Sequence, residues 1–247
     1  MSRLRRALSG AQVAVGLLTV LPVRARTEPD GIGHAAAWFP LVGALVGLAT
    51  GGIWLAFERS LGPTLSAVLA VITLVILTGG LHQDGLADVA DGLGVRGGRG
   101  RRLEVMRDSS IGAFGVLALV LWALLLTAAL AALPRDQVLK TLVIAGALSR
   151  WSAVVHAFEL PPAREEGLGA AFAPSWPALL AASALALATL ALQPGRVVAA
   201  LGVALLTTIA TSLLADRVLG GRTGDTLGAT ILLTEVVVCI VLVGLAR

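Results

Sequence analysis

Seven stretches of the chain stay apolar for about the 20 residues that a helix needs to cross roughly 30 Å of hydrocarbon. They run over 35–57, 63–81, 111–133, 138–158, 177–193, 196–214 and 227–245. The polar segments between them come in two kinds. Those at 58–62, 134–137 and 194–195 are very short, with Gly or Pro in or beside the turn, which predicts tight hairpins. Those at 82–110, 159–176 and 215–226 are long and rich in charge, glycine and hydroxyls. A shorter apolar stretch, 7–21, is flanked by Arg3, Arg5, Arg6, Arg24 and Arg26 and is expected to lie along the membrane interface rather than cross it. The expected fold is all-α: a polytopic membrane helix bundle of about seven transmembrane helices plus an N-terminal interfacial helix. It forms a single integral-membrane domain over residues 1–247.

Composition sharpens this picture. With 57% hydrophobic and 14% charged residues, the chain holds more apolar side chains than a soluble domain of 247 residues can hide, so the lipid bilayer is its solvent. Gly and Ala richness suits helices that associate by close backbone approach. Lys and Arg fix the orientation. If 82–110 faces the cytoplasm, thirteen basic residues lie inside and five outside, with Arg150 left within a span. The three long loops then converge on the cytoplasmic face of a bacterial inner membrane, and the active face is there. The basic residues form no stripe with interleaved aromatics, so nucleic acid is not an expected partner. Cys239, the single cysteine, lies in an apolar run and implies no disulfide within the chain. The N-terminal run lacks a small-residue cleavage site before Pro22-Val23-Arg24 and does not read as a cleavable signal peptide. Composition leaves open whether the chain forms a homo-oligomer.

Candidate chemistry sits in the first long loop. Asp84, Asp88 and Asp91 are spaced i, i+4, i+7, which puts them within about 60° of arc on one face of a helix. Three carboxylates so close repel one another and hold protons unless a cation joins them. Mg²⁺, or Mn²⁺, takes carboxylate oxygens and keeps positions for substrate phosphate. A merely solvated acidic face would interleave Lys, Ser or Gln, whereas Gly85, Leu86, Ala87, Val89 and Ala90 intervene here. These three acids are the candidate catalytic and metal-binding residues. His82 points to the far side of such a helix and is read as a supporting group, with direct proton transfer as the sharper alternative.

Other polar groups supplement them. The run Gly97-Gly98-Arg99-Gly100-Arg101-Arg102 can bring backbone amides and Arg102 to phosphate, or can simply be a linker. Arg107, Asp108 and Ser109 are candidate substrate-binding groups, with helix capping as the plainer role for Asp108 and Ser109. In Gly220-Gly221-Arg222-Thr223-Gly224-Asp225, Arg222 is a candidate for substrate. Asp225 is either a further metal ligand or a cap. Arg150 and Glu235 lie at matching depth in their spans, which predicts a buried pair.

The runs Gly79-Gly80-Leu81-His82-Gln83-Asp84-Gly85-Leu86-Ala87-Asp88-Val89-Ala90-Asp91-Gly92 and Met106-Arg107-Asp108-Ser109-Ser110-Ile111-Gly112-Ala113-Phe114-Gly115, with the loop 220–225, resemble the cobalamin synthase family of adenosylcobinamide-GDP ribazoletransferases. The resemblance extends over nearly the whole chain. It implies a Mg²⁺-dependent transfer of the adenosylcobinamide-phosphate group of adenosylcobinamide-GDP to α-ribazole or α-ribazole 5′-phosphate, releasing GMP in the last steps of vitamin B12 synthesis. The family is distantly similar to CDP-alcohol phosphotransferases, but Asp88 and Val89 stand where their motif has Ala and Arg, which counts against a phospholipid synthase. A secondary transporter is the reading from another class. It is disfavoured because no repeat relates the two halves and the acids cluster in a loop.

Overall fold

The structure, a computed structural model, describes residues 3–23 and 31–246. Arg24, Arg26 and Arg247, counted above in the charge asymmetry, lie outside the described residues. Among the described residues the regular structure is helical apart from one parallel bridge between Pro162 and Arg222. Helix α1 (Arg3–Leu18) rises only about 24 Å, too little to cross hydrocarbon. It buries Val13, Ala14 and Leu18 against the short α2 (Gly31–Ala35) and the start of α3 (Phe39–Thr78).

Helix α3 carries the first two spans. Straight, its 40 residues would reach about 60 Å, twice the hydrocarbon thickness. The chain instead breaks at Gly62, whose φ of 76° and ψ of 169° are open to glycine and hostile to other residues. Pro63 then opens the second arm, where its missing N–H leaves nothing unpaired. Phe39 and Leu81, at opposite ends of the hairpin, line one cavity, so the arms fold back on each other.

Gly43, Gly47 and Gly51 recur every four residues on the first arm and face α7 (Arg135–Glu159). A Cβ on Gly43 would lie 2.0 Å from the carbonyl oxygen of Gly146, and one on Gly47 would lie 2.1 Å from that of Leu142. Backbone therefore rides on backbone, the way helices associate where lipid removes the hydrophobic drive between them. Around this pair stand α6 (Ala113–Ala132), α9 (Trp176–Thr189), α10 (Val197–Leu219) and α11 (Gly224–Gly244). Residues such as Ile76, Leu124, Leu180 and Leu206 on the outer helices are exposed, as a lipid-facing surface requires. Among the described residues, five helices are long and apolar enough to span by length and composition: the α3 hairpin with its lead-in, α6, α7, α10 with its lead-in, and α11. Helix α9 with the 3₁₀ turn after it is a shorter apolar element, Trp176–Leu192.

The short connections gather at one end of the bundle, where Arg135 pairs with Glu58 and Gln193 Nε2 donates to Thr141 Oγ1 at 3.2 Å. The long loops, which carry the short α5 (Arg99–Val105) and α8 (Leu168–Ala171), gather at the other. There Arg99 Nη2 donates to the Ala163 carbonyl at 2.9 Å, Arg164 Nη2 to that of Leu103 at 2.8 Å, and the Arg222 amide to that of Pro161 at 2.9 Å.

Between the two ends, the expected pair is present. Arg150 Nη1 and Glu235 Oε1 are 3.0 Å apart, each side chain 1% exposed, joining α7 to α11. Removing one partner strands a buried charge at about 3–5 kcal/mol. Arg150→Glu or Glu235→Arg alone should therefore eliminate most monodisperse protein in detergent, and combining them should restore much of it. Equal loss in the double variant would mean that the pairing itself contributes nothing.

Candidate active site

Helix α4 (Leu81–Gly94) begins abruptly because Gly79 and Gly80 both take left-handed φ, 64° and 72°, closing α3 and turning the chain. Small residues then let α4 lie against the start of α11. A Cβ on Gly85 would meet the Asp225 carbonyl oxygen at 2.8 Å, and one on Gly228 would come within 3.2 Å of the His82 Cα. This contact brings Asp84 and Asp88 of α4 to Asp225 of α11.

The first turn of α11 is rigidly built. Thr223 Oγ1 accepts from the Thr226 amide at 3.2 Å, and Thr226 Oγ1 accepts from the Thr223 amide at 3.0 Å, a reciprocal cap. Behind it, His156 Nε2 lies 3.1 Å from Thr226 Oγ1 and its Nδ1 lies 2.9 Å from Ser212 Oγ, tying α7, α10 and α11 together. Asp225 therefore sits at the positive end of a helix dipole, with its carboxylate held by Thr223 Oγ1 at 3.2 Å and by Arg164 Nη1 at 3.7 Å. It lies in the capping turn, where Thr223 and Thr226 rather than Asp225 make the cap, and it faces the other acids.

Electrostatics mark Asp88 as the centre of this group. Burial, then the charges of Asp84, Asp225 and Asp91, raise its carboxyl from 3.8 to about 7, with Arg164 opposing. Since the folded-state value lies above the ordinary one, a proton on Asp88 favours folding. That stability is whole below 3.8 and is lost as pH rises through about 7. In EDTA, the melting temperature of the protein should fall between pH 5 and about pH 7.5. Asp88→Asn should flatten that slope; an unchanged slope in the variant would remove Asp88 from the acidic centre.

Asp91 departs from the expected three-carboxylate site. Its Oδ2 accepts from the Gly112 amide at 2.7 Å and its Oδ1 from the Gly115 amide at 2.9 Å, so it caps the start of α6. The free amides of a helix N-terminus compete for a carboxylate on the same stripe. A Cβ on either glycine would lie 2.4 Å from the Asp91 carboxylate, which explains Gly112-Ala113-Phe114-Gly115. Arg102 is also turned inward. It donates to the carbonyls of Gly92 at 3.2 Å, Leu93 at 3.0 Å and Gly97 at 3.2 Å, capping the C-terminal end of α4. Arg222, 5% exposed, donates through Nε to the Gly169 carbonyl at 2.9 Å and through Nη1 to that of Leu160, clamping two loops. Arg107, Asp108 and Ser109 are exposed. Arg107 faces a groove shared with Arg164. Asp108 Oδ1 accepts from the Ser110 amide at 2.9 Å, and that bond holds its carboxyl below the ordinary value.

A cavity of about 300 Å³ opens beside Asp84 and Asp225. Arg164 stands at the same mouth, while Leu18, Phe39, Ala153, Phe172 and Ile231 line the cavity with apolar surface. His82 lines it too. It is 3% exposed, and its Nε2 has no hydrogen-bond partner among the described residues. Burial, then the Arg150 charge, pushes its imidazole down to about 3, so the ring is neutral. The sequence reading did not single out His156, Arg164 or Phe172 as site residues. A histidine within an apolar run was a usable signal for the first; the others carried none.

Among the described residues no three His, Cys, Asp or Glu side chains close into a ready metal cage. Asp84, Asp88 and Asp225 form an open acidic set in which Asp88 holds its proton against its neighbours' charge. Such a set suits Mg²⁺, which is bound through one or two carboxylates and completes its octahedron with substrate phosphate and water.

The family description cobalamin-5-phosphate synthase matches residues 10–243. The chain is 41% identical over 246 residues to the adenosylcobinamide-GDP ribazoletransferase of Bradyrhizobium diazoefficiens, covering 96% of this chain and 94% of that one. It is 39% identical to the protein of the same name from Azorhizobium caulinodans, covering 94% of both chains. With that of Escherichia coli K12 it shares 40% identity over 205 residues, 81% of this chain and 83% of that one. No solved structure matches the chain.

Proposed function

The chain belongs to the cobalamin-5-phosphate synthase family, and from that premise we propose that it transfers the adenosylcobinamide-phosphate group of adenosylcobinamide-GDP to α-ribazole or its 5′-phosphate, releasing GMP. The observation that carries this reading onto particular residues is the meeting of Asp84 and Asp88 with Asp225, beside a cavity that Asp84 and Asp225 line. The alternative of a phospholipid synthase is not favoured, because the relatives carry the ribazoletransferase name.

Asp84, Asp88 and Asp225 would hold Mg²⁺, or Mn²⁺, which when bound neutralises phosphate charge and polarises phosphorus. Arg164, at the same mouth, draws the anionic pyrophosphate toward the acids and offsets charge on the leaving GMP. A ribose hydroxyl of the ribazole attacks the phosphorus that bears the corrinoid arm. One phosphorus–oxygen bond forms there and the bond to GMP breaks. The hydroxyl proton passes to a carboxylate of the acidic set that is left off the metal. Asp91, Arg102, Arg222 and His156 position this apparatus through the helix ends and loops they fasten.

The thirteen-to-five distribution of basic residues supports an inner-membrane location with this face toward the cytoplasm. One experiment tests activity and orientation together. Inverted membrane vesicles given adenosylcobinamide-GDP, α-ribazole and Mg²⁺ should release GMP into the medium, whereas right-side-out vesicles should release none. GMP from the right-side-out preparation alone would reverse the topology, and CMP from a CDP-activated lipid would replace the reaction.

A further inference from the structure

The cavity beside the acids has two chemically unlike ends. Its mouth is charged. Its interior is apolar and partly aromatic, with Phe39 and Phe172 stacked at 4.7 Å and 15° and Phe172 1% exposed. Of the buried polar side chains that line it, Arg222 and Thr223 are engaged with protein groups, whereas His82, 3% exposed, has an Nε2 with no hydrogen-bond partner among the described residues. A buried ring nitrogen left unpaired is costly, so a ligand that satisfies it gains in affinity and in orientation.

Of the pieces that the two substrates bring, few fit. A corrinoid ring with its amide arms is far too large for about 300 Å³. A pyrophosphate is anionic and belongs with Arg164 and the metal. The guanine of the nucleotide and the adenine of the adenosyl group are flat and uncharged too, but each carries several donors and acceptors that apolar walls would leave unpaired. The piece that fits is the flat, uncharged benzimidazole of the ribazole, which needs apolar walls and has one bare ring nitrogen as its only acceptor.

Resting on the ribazoletransferase reading, we infer that the apolar interior receives the benzimidazole base between Phe39, Phe172, Ala153 and Ile231. His82 Nε2–H donates to its unalkylated ring nitrogen, and the ribose is directed toward Asp84 and Asp225. His82 is then the residue that registers the ribazole, and the depth of the cavity sets which hydroxyl reaches the mouth.

The test compares α-ribazole with its indole analogue, in which that ring nitrogen is replaced by C–H, using full-length protein in lipid nanodiscs. Wild type should show a KM about tenfold higher for the analogue. His82→Leu should raise the KM for α-ribazole by a similar factor and erase the difference between the two compounds. Ala153→Leu, which fills the interior, should raise the KM for both by about tenfold or more. In every case the KM for adenosylcobinamide-GDP should stay within about twofold. Equal KM values for the two compounds in wild type, or an effect of Ala153→Leu confined to adenosylcobinamide-GDP, would overturn the inference while GMP release continued. Absence of GMP release by wild type with either compound would instead overturn the ribazoletransferase reading, and the inference with it. If His82→Leu fails to fold, the wild-type comparison and Ala153→Leu still decide.

Discussion

Asp88→Asn should lower GMP release by about 10²- to 10³-fold or more while leaving the protein folded, and Asp84→Asn should do the same. Asn keeps the size and hydrogen bonding of Asp but not the charge that holds a divalent cation. The acids repel one another, so either variant loses a destabilising interaction and should melt no lower than wild type in EDTA. Added Mg²⁺ should raise the melting temperature of wild type and leave these two variants unmoved. Asp91→Asn is the informative contrast. Its carboxylate accepts the Gly112 and Gly115 amides, so its loss should lower the melting temperature while the response to Mg²⁺ survives. Near-normal GMP release by both Asp88→Asn and Asp84→Asn at limiting Mg²⁺ would reduce the acids to a solvated face.

The second large effect is expected far from any substrate. Gly47→Leu should abolish folded protein altogether, because even a Cβ at that position would lie 2.1 Å from the Leu142 carbonyl oxygen and 3.0 Å from the Val143 amide nitrogen. Neither is a flexible side-chain end that can swing away. The α3–α7 contact would have to open along its length, and with it the surroundings of Arg150. Gly52→Leu, where a Cβ meets nothing within 4 Å, is the control and should accumulate normally. Size-exclusion profiles in mild detergent separate the outcomes; a monodisperse Gly47→Leu peak at wild-type yield would show that the helices do not need this approach.

What the sequence could and could not disclose follows from the range of the forces involved. Span positions were legible because hydrocarbon thickness fixes the length of an apolar run, and the break at Gly62-Pro63 because glycine alone tolerates such a turn and proline cannot continue a helix from within. The Arg150–Glu235 pair was legible because few partners exist for a charge within a span. The allocation of the loop side chains was not. Arg102 and Arg222 look like phosphate ligands in a glycine-rich setting, yet each is committed to carbonyls that only the folded loops bring within reach. Asp91 shares its stripe with Asp84 and Asp88, and only the arrival of α6 separates it from them. Arg164 follows Pro161-Pro162-Ala163 with no pattern around it, and its place opposite Asp225 depends on residues about 60 positions away.

The reciprocal cap at Thr223 and Thr226 sets Asp225 on a helix translated roughly 140 residues after Asp84. A nascent chain emerging from the ribosome thus carries Asp84 and Asp88 for a long stretch of synthesis before Asp225 joins them with the insertion of α11. Until then the two α4 acids repel each other without that third charge, and the full crowding of negative charge arises only at this late step.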